Sequence, residues 1–536
     1  MQSREDQVAQ LAGKTFDVLV IGGGINGAAT AAALSAHGLS VAIVDARDFA
    51  GFTSQSSSGL IWGGIKYLET QEFLLVRRLC RQRNELIRAY PSSIRETRFL
   101  ASLYRTGRLS RWVLWLGAWL YWLLGSGATA PPRFFSARQI AKVEPALSAS
   151  SFVGGVEYSD AILADGDARF IFNLLDTATD RGCVAVNYLE VVKLQFHANN
   201  NNWEVRLDDI AAGGEYTLNA RILVNAAGPF VDDINRMAGV TTRHRHVFSK
   251  GIHLVVPRLS HSGRALAFFA DDGRPFFVIP TRDRSSIGTT DTKVDWPISE
   301  VTEKDRQFVL DNINHALSGS DLLTRKDIIA ERCGVRPLAV ERKVDQTMDF
   351  LKLSRRYVVE VDHHRMVSIF GGKLTDFLSV GREITKKVLV LCDRSPVLKS
   401  DWFGEAGSEE RNIFLHRAAG VFEIGDPGFA IAERLWRYYG NQASNILDAV
   451  ESDASLGKFV LQGFGITRAE LEFVRTTQMV VSLDDYLRRR TLLAQTVPEE
   501  ELANLSGMME VCRILFGKNA EACLEEYFGD FRNREL

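Results

Sequence analysis

The stretch Phe16 to Asp45, FDVLVIGGGINGAATAAALSAHGLSVAIVD, constrains this chain more than any other. An apolar run, Phe16 to Ile21, has the length and composition of a buried strand. Gly22, Gly24 and Gly27 follow at the G-x-G-x-x-G spacing, then a helix of small residues. A second apolar run, Val41 to Val44, ends on Asp45. Glycines at those positions let the backbone turn tightly, approach a pyrophosphate and pack helix on sheet. The helix N-terminus stabilises phosphate charge, and an acid closing the second strand can bind a ribose hydroxyl. Strand, glycine turn, helix, strand and acid together predict a dinucleotide-binding unit rather than an ordinary glycine-rich turn.

A chain of 536 residues has room for two to four domains and an ample core. Its 64 basic and 66 acidic residues leave a net charge of −2, which argues against nucleic acid as a partner. The cysteines at 80, 183, 333, 392, 512 and 523 form no C-x-x-C pair, which favours a reducing compartment over disulfides or a zinc site. The polar start, MQSREDQVAQLAGKTFD, does not read as a signal peptide.

Past Asp45 runs a Ser- and Gly-rich loop, ARDFAGFTSQSSSGLIWGGIKYLE, suited to close approach by a phosphate or a flat ring; a charged helical stretch, 72–90, follows. In 104–125, YRTGRLSRWVLWLGAWLYWLLG, Trp112, Trp115, Trp119 and Trp122 fall on one helical face, preceded by Arg105, Arg108 and Arg111. The apolar run of about 14 residues would span roughly 21 Å as a helix, short of a ~30 Å hydrocarbon core. Two readings stay open: an interfacial helix with tryptophans at headgroup depth, or a buried helix or oligomer contact, which leaves a homodimer open. A strand-to-turn junction at Ile222 to Pro229 (ILVNAAGP), short strands through 247–296, a helix over 301–317 and a third glycine junction at SIFGGKLTDF complete the pattern. From about Ser400 onward the chain reads as helical and charged.

Three glycine-bearing junctions, at 22–27, 226–229 and 371–372, exceed what a simple NAD domain needs. With the blocks VIGGGINGAATA, GGIKYLE, NAAGPFV, GIHLVVPR, IGTTDT, CGVRPL, IFGGKLTDF and DDYLRRRT in that order, the chain resembles the FAD-dependent glycerol-3-phosphate dehydrogenases, within the glycine oxidase and D-amino acid oxidase grouping. The resemblance implies an α/β fold (α+β overall): a discontinuous Rossmann-like FAD-binding domain (15–80, 155–235 and 330–392), an inserted antiparallel-sheet substrate domain (81–154 and 236–329) and a C-terminal helical domain (393–536). It implies FAD held by Gly22, Gly24, Ile25, Asn26, Gly27, Asp45, Ser54, Ser57, Gly63, Gly64, Ala227, Gly228, Gly372, Lys373, Leu374 and Thr375. Substrate would meet Lys66, Tyr67, Arg336 and Lys373, with His253, Arg336 and Lys373 as the catalytic set. The implied reaction is oxidation of glycerol 3-phosphate or a related polyol phosphate, electrons passing to membrane quinone or another acceptor. The implied location is cytoplasmic, peripheral on the inner face of the membrane.

Departures from the family pattern concentrate in one loop. Gln55 stands for a variable arginine, Gly59 for a lysine, Trp62 for a histidine and Lys66 for an arginine; Asp376-Phe377 replaces Thr-Tyr. Lys66 keeps a charge but loses the guanidinium fork. Either the substrate or acceptor differs from the usual one, or other cations such as Arg282 or Arg245 compensate. Oxidation of another alcohol, hydroxy acid or amine, and a non-catalytic flavin subunit of a membrane complex, therefore remain alternatives.

Overall fold

A computed structural model describes residues 2–105, 110–148, 150–269, 274–318, 322–343, 353, 355–395, 397, 401–422 and 426–534, side chains being described to 422 and over 430–529 in the last two stretches. Arg108 lies outside the described residues.

The fold is mixed α/β, built on two sheets and a helical C-terminal region. The first sheet has eight strands, with the central order Val358–Val361, Met366–Phe370, Glu215–Asn225, Thr15–Ile21, Val41–Val44 and Val184–Val186. Its inner five strands are parallel, and Leu189–His197 and Asn202–Asp209 extend it antiparallel beyond Glu215. Parallel strands need cover on both faces, which explains the near-continuous apolar runs of Thr15–Ile21 and Val41–Val44. Val18 and Val20 face helices Ile25–Ala36, Gly166–Thr179 and Phe377–Leu391, while Phe16, Leu19 and Ile21 join a core with Leu11 and Trp203 on the other side. Ten of the twelve residues of Ile25–Ala36 are buried, and its alanines let it lie close against the sheet.

The second sheet is ten-stranded and antiparallel except where Ala265–Phe269 runs parallel to Ile94–Tyr104. Its longest strand, His244–Pro257, pairs over twelve positions with Ala330–Glu341. Two strands from segments assigned by sequence to the nucleotide unit therefore belong here: Ala330–Glu341, and Leu60–Ile61, which pairs with Phe152–Leu163. Leu254, Ile287 and Val278 cover one face over helix Glu303–Asn314; Phe99, Tyr158, Phe277 and Ile279 form the other.

In helix Arg111–Leu124 the tryptophan stripe is half-buried at Trp115, Trp119 and Trp122 and exposed at Trp112. The four indoles stack edge-to-face in a ladder, 112 to 115 to 119 to 122, with centroids 5.5 to 6.4 Å apart. Trp122 donates its N–H to the carbonyl of Thr129 at 2.7 Å. The face turned to solvent carries Val113, Leu116, Leu120 and Leu123 beside the exposed first indole, Trp112, Leu116 being 59% exposed. No helix among the described residues is long and apolar enough to cross a membrane. The C-terminal helices enclose a core of their own around Leu435, Trp436, Val474, Leu487 and Val511.

Candidate active site

The glycine turn, the loop after Asp45, the 226–230 turn and the 371–374 junction line one cleft of about 770 Å³. That lies in the upper part of the roughly 300–1,000 Å³ usual for ligand sites. Gly22 has φ +104°, and a Cβ there would meet the Ala226 carbonyl at 2.5 Å. Gly27 lies outside the cleft lining and serves packing, because a Cβ there would sit 1.8 Å from the Gly22 carbonyl oxygen. Gly24 caps helix Ile25–Ala36 without a side-chain hydrogen bond; the Ile25 amide donates to Ser54 Oγ at 3.2 Å. Free amides and a helix dipole at this end suit a pyrophosphate.

Asp45 closes the second strand as expected. Its carboxylate accepts the Gly23 amide at 2.7 Å and the Arg47 amide at 2.9 Å, and burial pushes its pKa up to about 7 against those two hydrogen bonds. Asn26, Ser54, Ser57, Ala227, Gly228, Gly372, Lys373 and Leu374 also line the cleft, and Asn26 Oδ1 is buried without a protein partner. The volume of the cleft, with a helix terminus and the acid Asp45 both in its lining, fits a dinucleotide.

Three expected cofactor contacts support the cleft without lining it. The Gly63 amide donates to buried Asp160 at 3.0 Å, Gly64 takes a left-handed turn beside Tyr67, and Thr375 Oγ1 accepts the Trp62 amide at 3.1 Å. After Gly371-Gly372 a 3-10 turn, Leu374–Asp376, delays the α-helix to Phe377, so the helix begins later than Lys373 or Leu374. His246 Nε2 accepts the Gly371 amide at 3.0 Å and fixes this junction. Burial depresses the His246 pKa to about 3, which keeps the ring neutral. The unfolded chain takes up this proton below about pH 6.5 and the folded one does not, so the group's stabilisation is complete above that pH and lost as pH falls. In melts of the apoprotein from pH 7.5 to 5, His246→Gln should lose about 1.4 kcal/mol less per pH unit than the parent below pH 6.

Over the cleft stands the second sheet. Strand register sets Arg332, His253, Gly288 and Phe277 in one row, on the face opposite the Leu254 core. Gly288 is needed there: a Cβ would meet the His253 ring at 2.8 Å. His253 is buried and its Nδ1 has no hydrogen-bond partner among the described residues; burial, then Arg332 and Arg336, hold its pKa well below the ordinary value. A neutral imidazole with an unpartnered ring nitrogen therefore lies in a cationic neighbourhood set by Arg332 and Arg336.

Arg336 is housed by Gly251, where a Cβ would meet its guanidinium at 2.1 Å. It donates to Thr289 Oγ1 at 3.0 Å and to the Thr290 carbonyl at 3.3 Å. Burial, then Arg355, lower its pKa to about 10, so it stays charged near neutrality. Thr290 accepts the Ile252 amide and Asp291 accepts from Ser249 and Arg355, roles of turn and pairing. Arg332, which sequence reasoning passed over, donates to the Ser57 carbonyl and lies 3.9 Å from Asp167.

The altered loop joins the two halves. Lys373 Nζ sits 4.2 Å from the centre of the Tyr67 ring, and Trp62 packs against Tyr67 and Phe277 with centroids 5.7 and 6.2 Å apart. Trp62 thus occupies the place of a basic side chain with an aromatic wall; Gly59, at φ +66°, leaves open space. Lys66 is half-buried on the turn Ile65–Leu68. Arg282 does not compensate, being engaged by the Tyr438 hydroxyl at 2.6 Å and Asp165 at 3.7 Å.

Comparison with known proteins agrees with this geometry. Residues 17–378 match the FAD dependent oxidoreductase family, and 418–523 match the C-terminal domain of alpha-glycerophosphate oxidase. The chain is 28% identical to a glycerol-3-phosphate dehydrogenase of Synechocystis, over 95% of this chain and 94% of that protein. It is 29% identical to D-erythritol 1-phosphate dehydrogenase of Brucella abortus, over 89% of this chain and 94% of that one. Among solved structures, the glycerol-3-phosphate dehydrogenase from Bacillus halodurans complexed with FAD superposes with a TM-score of 0.76 at 23% identity, covering 99% of this chain and 97% of that one. The chain belongs to the family of FAD dependent oxidoreductases, and its cofactor is FAD.

Proposed function

We propose that this enzyme oxidises the secondary alcohol of a polyol phosphate, glycerol 3-phosphate or a near relative such as D-erythritol 1-phosphate, to the ketone and passes the electrons to a membrane quinone. One observation carries the reading: a neutral, buried His253 with an open nitrogen lies in register with Arg332, four residues along the strand from Arg336, beside a dinucleotide cleft. FAD supplies the hydride acceptor. His253 takes the hydroxyl proton, and Arg336 holds the phosphate through its planar fork, with Lys373 and Lys66 adding charge at the loop. Tyr67 carries Lys373 on its ring face and Trp62 closes the site against water. Gly22, Gly24, Ile25, Asn26, Asp45, Ser54, Ser57, Ala227, Gly228, Gly372 and Leu374 hold the cofactor, with Gly27, Gly63, Gly64 and Thr375 behind them. The cofactor unit is discontinuous on this reading (15–80, 155–235 and 330–392), exchanging 60–61 and 330–341 with the substrate sheet. Bleaching of the bound flavin under anaerobic conditions by millimolar glycerol 3-phosphate or erythritol 1-phosphate, and not by their unphosphorylated parents, is the expected result. No bleaching by either phosphate would overturn the reading.

The membrane part rests on two packed helices. The apolar face of Arg111–Leu124 lies beside Phe73–Ala89, whose outward stripe holds Leu74, 83% exposed, with Arg77, Arg81 and Arg88. Apolar residues flanked by arginines suit an anionic lipid surface. Leu116→Glu with Leu120→Glu should cut sedimentation with anionic vesicles at least tenfold while FAD content stays at parent level.

A further inference from the structure

The segment Asp484 to Thr491, DDYLRRRT, belongs to the C-terminal helical region, yet three of its charged residues, Asp485, Arg489 and Arg490, are buried, the two arginines against Asp48. Asp485–Arg490 winds as one six-residue π-helical turn. Asp48, three residues beyond Asp45, is buried; it accepts Arg489 Nε at 2.6 Å, the two terminal nitrogens of Arg490 at 2.5 and 2.9 Å, and Asn187 Nδ2 at 2.8 Å. Another nitrogen of Arg489 donates to Gln55 Oε1 at 2.8 Å, and the third to Asp485 at 2.6 Å. Tyr188, a residue of the cleft wall, donates its hydroxyl to Asp485 at 2.7 Å. The C-terminal side of this cluster is organised by its own backbone: Arg490 donates to the carbonyls of Gln478 and Met479, and Asp485 accepts the amides of Val481 and Ser482. The opposite face of the Arg490 guanidinium is spent on the Phe172 ring, 3.8 Å from its centre.

Two arginines buried with this many fixed partners leave few half-docked states, because withdrawing either side strands charge in a medium that cannot solvate it. The cleft segments that reach the turn are the loop at Asp48, the turn at Gln55 and Tyr188. Each is adjacent in chain to a residue that lines the cleft: Arg47 beside Asp48, Ser54 beside Gln55, and Leu189 beside Tyr188. We propose that the Asp485–Arg490 turn is a cofactor clamp: docking of the C-terminal region on Asp48, Gln55 and Tyr188 braces the wall of the FAD cleft, so FAD retention and C-terminal docking form one linked equilibrium. Arg489 and Arg490 are positioning residues on this account. It rests on FAD binding and not on the identity of the substrate.

Linkage makes the coupling reciprocal: whatever factor docking adds to FAD affinity, FAD adds to docking. In the full-length parent, hydrogen exchange of the amides of 486–491 should slow at least tenfold on loading FAD. Release of FAD, followed by its fluorescence after dilution, should speed at least tenfold in Arg490→Lys and threefold or more in Tyr188→Phe. Arg437→Gln breaks a contact of the same helical region with Asp165, which does not line the cleft; its FAD release should stay within twofold of the parent. Exchange at 486–491 indifferent to FAD would overturn the clamp, even if the variants fail to fold. So would parent-like FAD release from folded Arg490→Lys and Tyr188→Phe, or an equal loss in Arg437→Gln, which would mark general undocking.

Discussion

Replacing His253 with glutamine lowers kcat for the polyol phosphate by about 10²- to 10⁴-fold, the span a positioned proton acceptor contributes. Glutamine fits the space left by Gly288 and stays neutral, so FAD content and melting temperature at pH 7.5 should match the parent. KM should change little, because the imidazole acts on the proton and not on the phosphate. Single-turnover reduction of the bound flavin, recorded by stopped-flow absorbance, isolates the chemical step. A rate within threefold of the parent would remove His253 from proton transfer. Burial and two neighbouring guanidinium groups keep the ring uncharged, and Nδ1 has no partner among the described residues, so the ring can receive a hydroxyl hydrogen bond. Alternative acceptors are scarce on that face, since Asp291 is already bound to Arg355 and Ser249.

Arg336→Leu raises KM for the phosphorylated substrate by about 30- to several-thousand-fold, the equivalent of roughly 2–5 kcal/mol for a buried charge-assisted contact. Flavin reduction forced by molar concentrations of the unphosphorylated polyol should change less than threefold. The contrast between the two substrates separates recognition from damage to the fold. Arg336→Lys should recover only part of the loss, because Gly251 leaves a slot shaped for a flat group and an ammonium cannot span it. If both substrates fall together in Arg336→Leu, the residue is structural, bracing Thr289 and Thr290.

The cofactor half of the molecule was legible because its signals are local. Gly22 needs its left-handed backbone, and Asp45 receives amides only two and twenty-two residues away. The GIHLVVP block drew attention to His253, which the structure buries in register with Arg332. Arg332 had a signal that went unread: 332, 334 and 336 share one face of a strand, with a glycine between two arginines. The tryptophan stripe marked a real helical face, but period alone does not tell which of two apolar faces a helix buries. Leu116, Leu120 and Leu123 are apolar too, and the packing of Tyr121 and Ala118 decided the matter. Asp48 and Arg490 stand 442 residues apart, and no local pattern announces such a pair. Nor does a loop substitution reveal its new neighbours: Trp62 meets Phe277 only because Leu60–Ile61 joins the second sheet.

Tyr121 carries one more implication. Its hydroxyl donates to the Asp160 carboxylate at 2.6 Å, and the same oxygen receives the Gly63 amide and Arg83. The helix with the greasy outer side is therefore bolted to the turn bearing Lys66 and Tyr67, with no linker between them. A surface helix on a flexible tether would let the enzyme body swivel; a helix fixed in this way would allow no such play. Whatever that helix adheres to sets the heading of the substrate mouth as well, so adhesion and aim become a single degree of freedom.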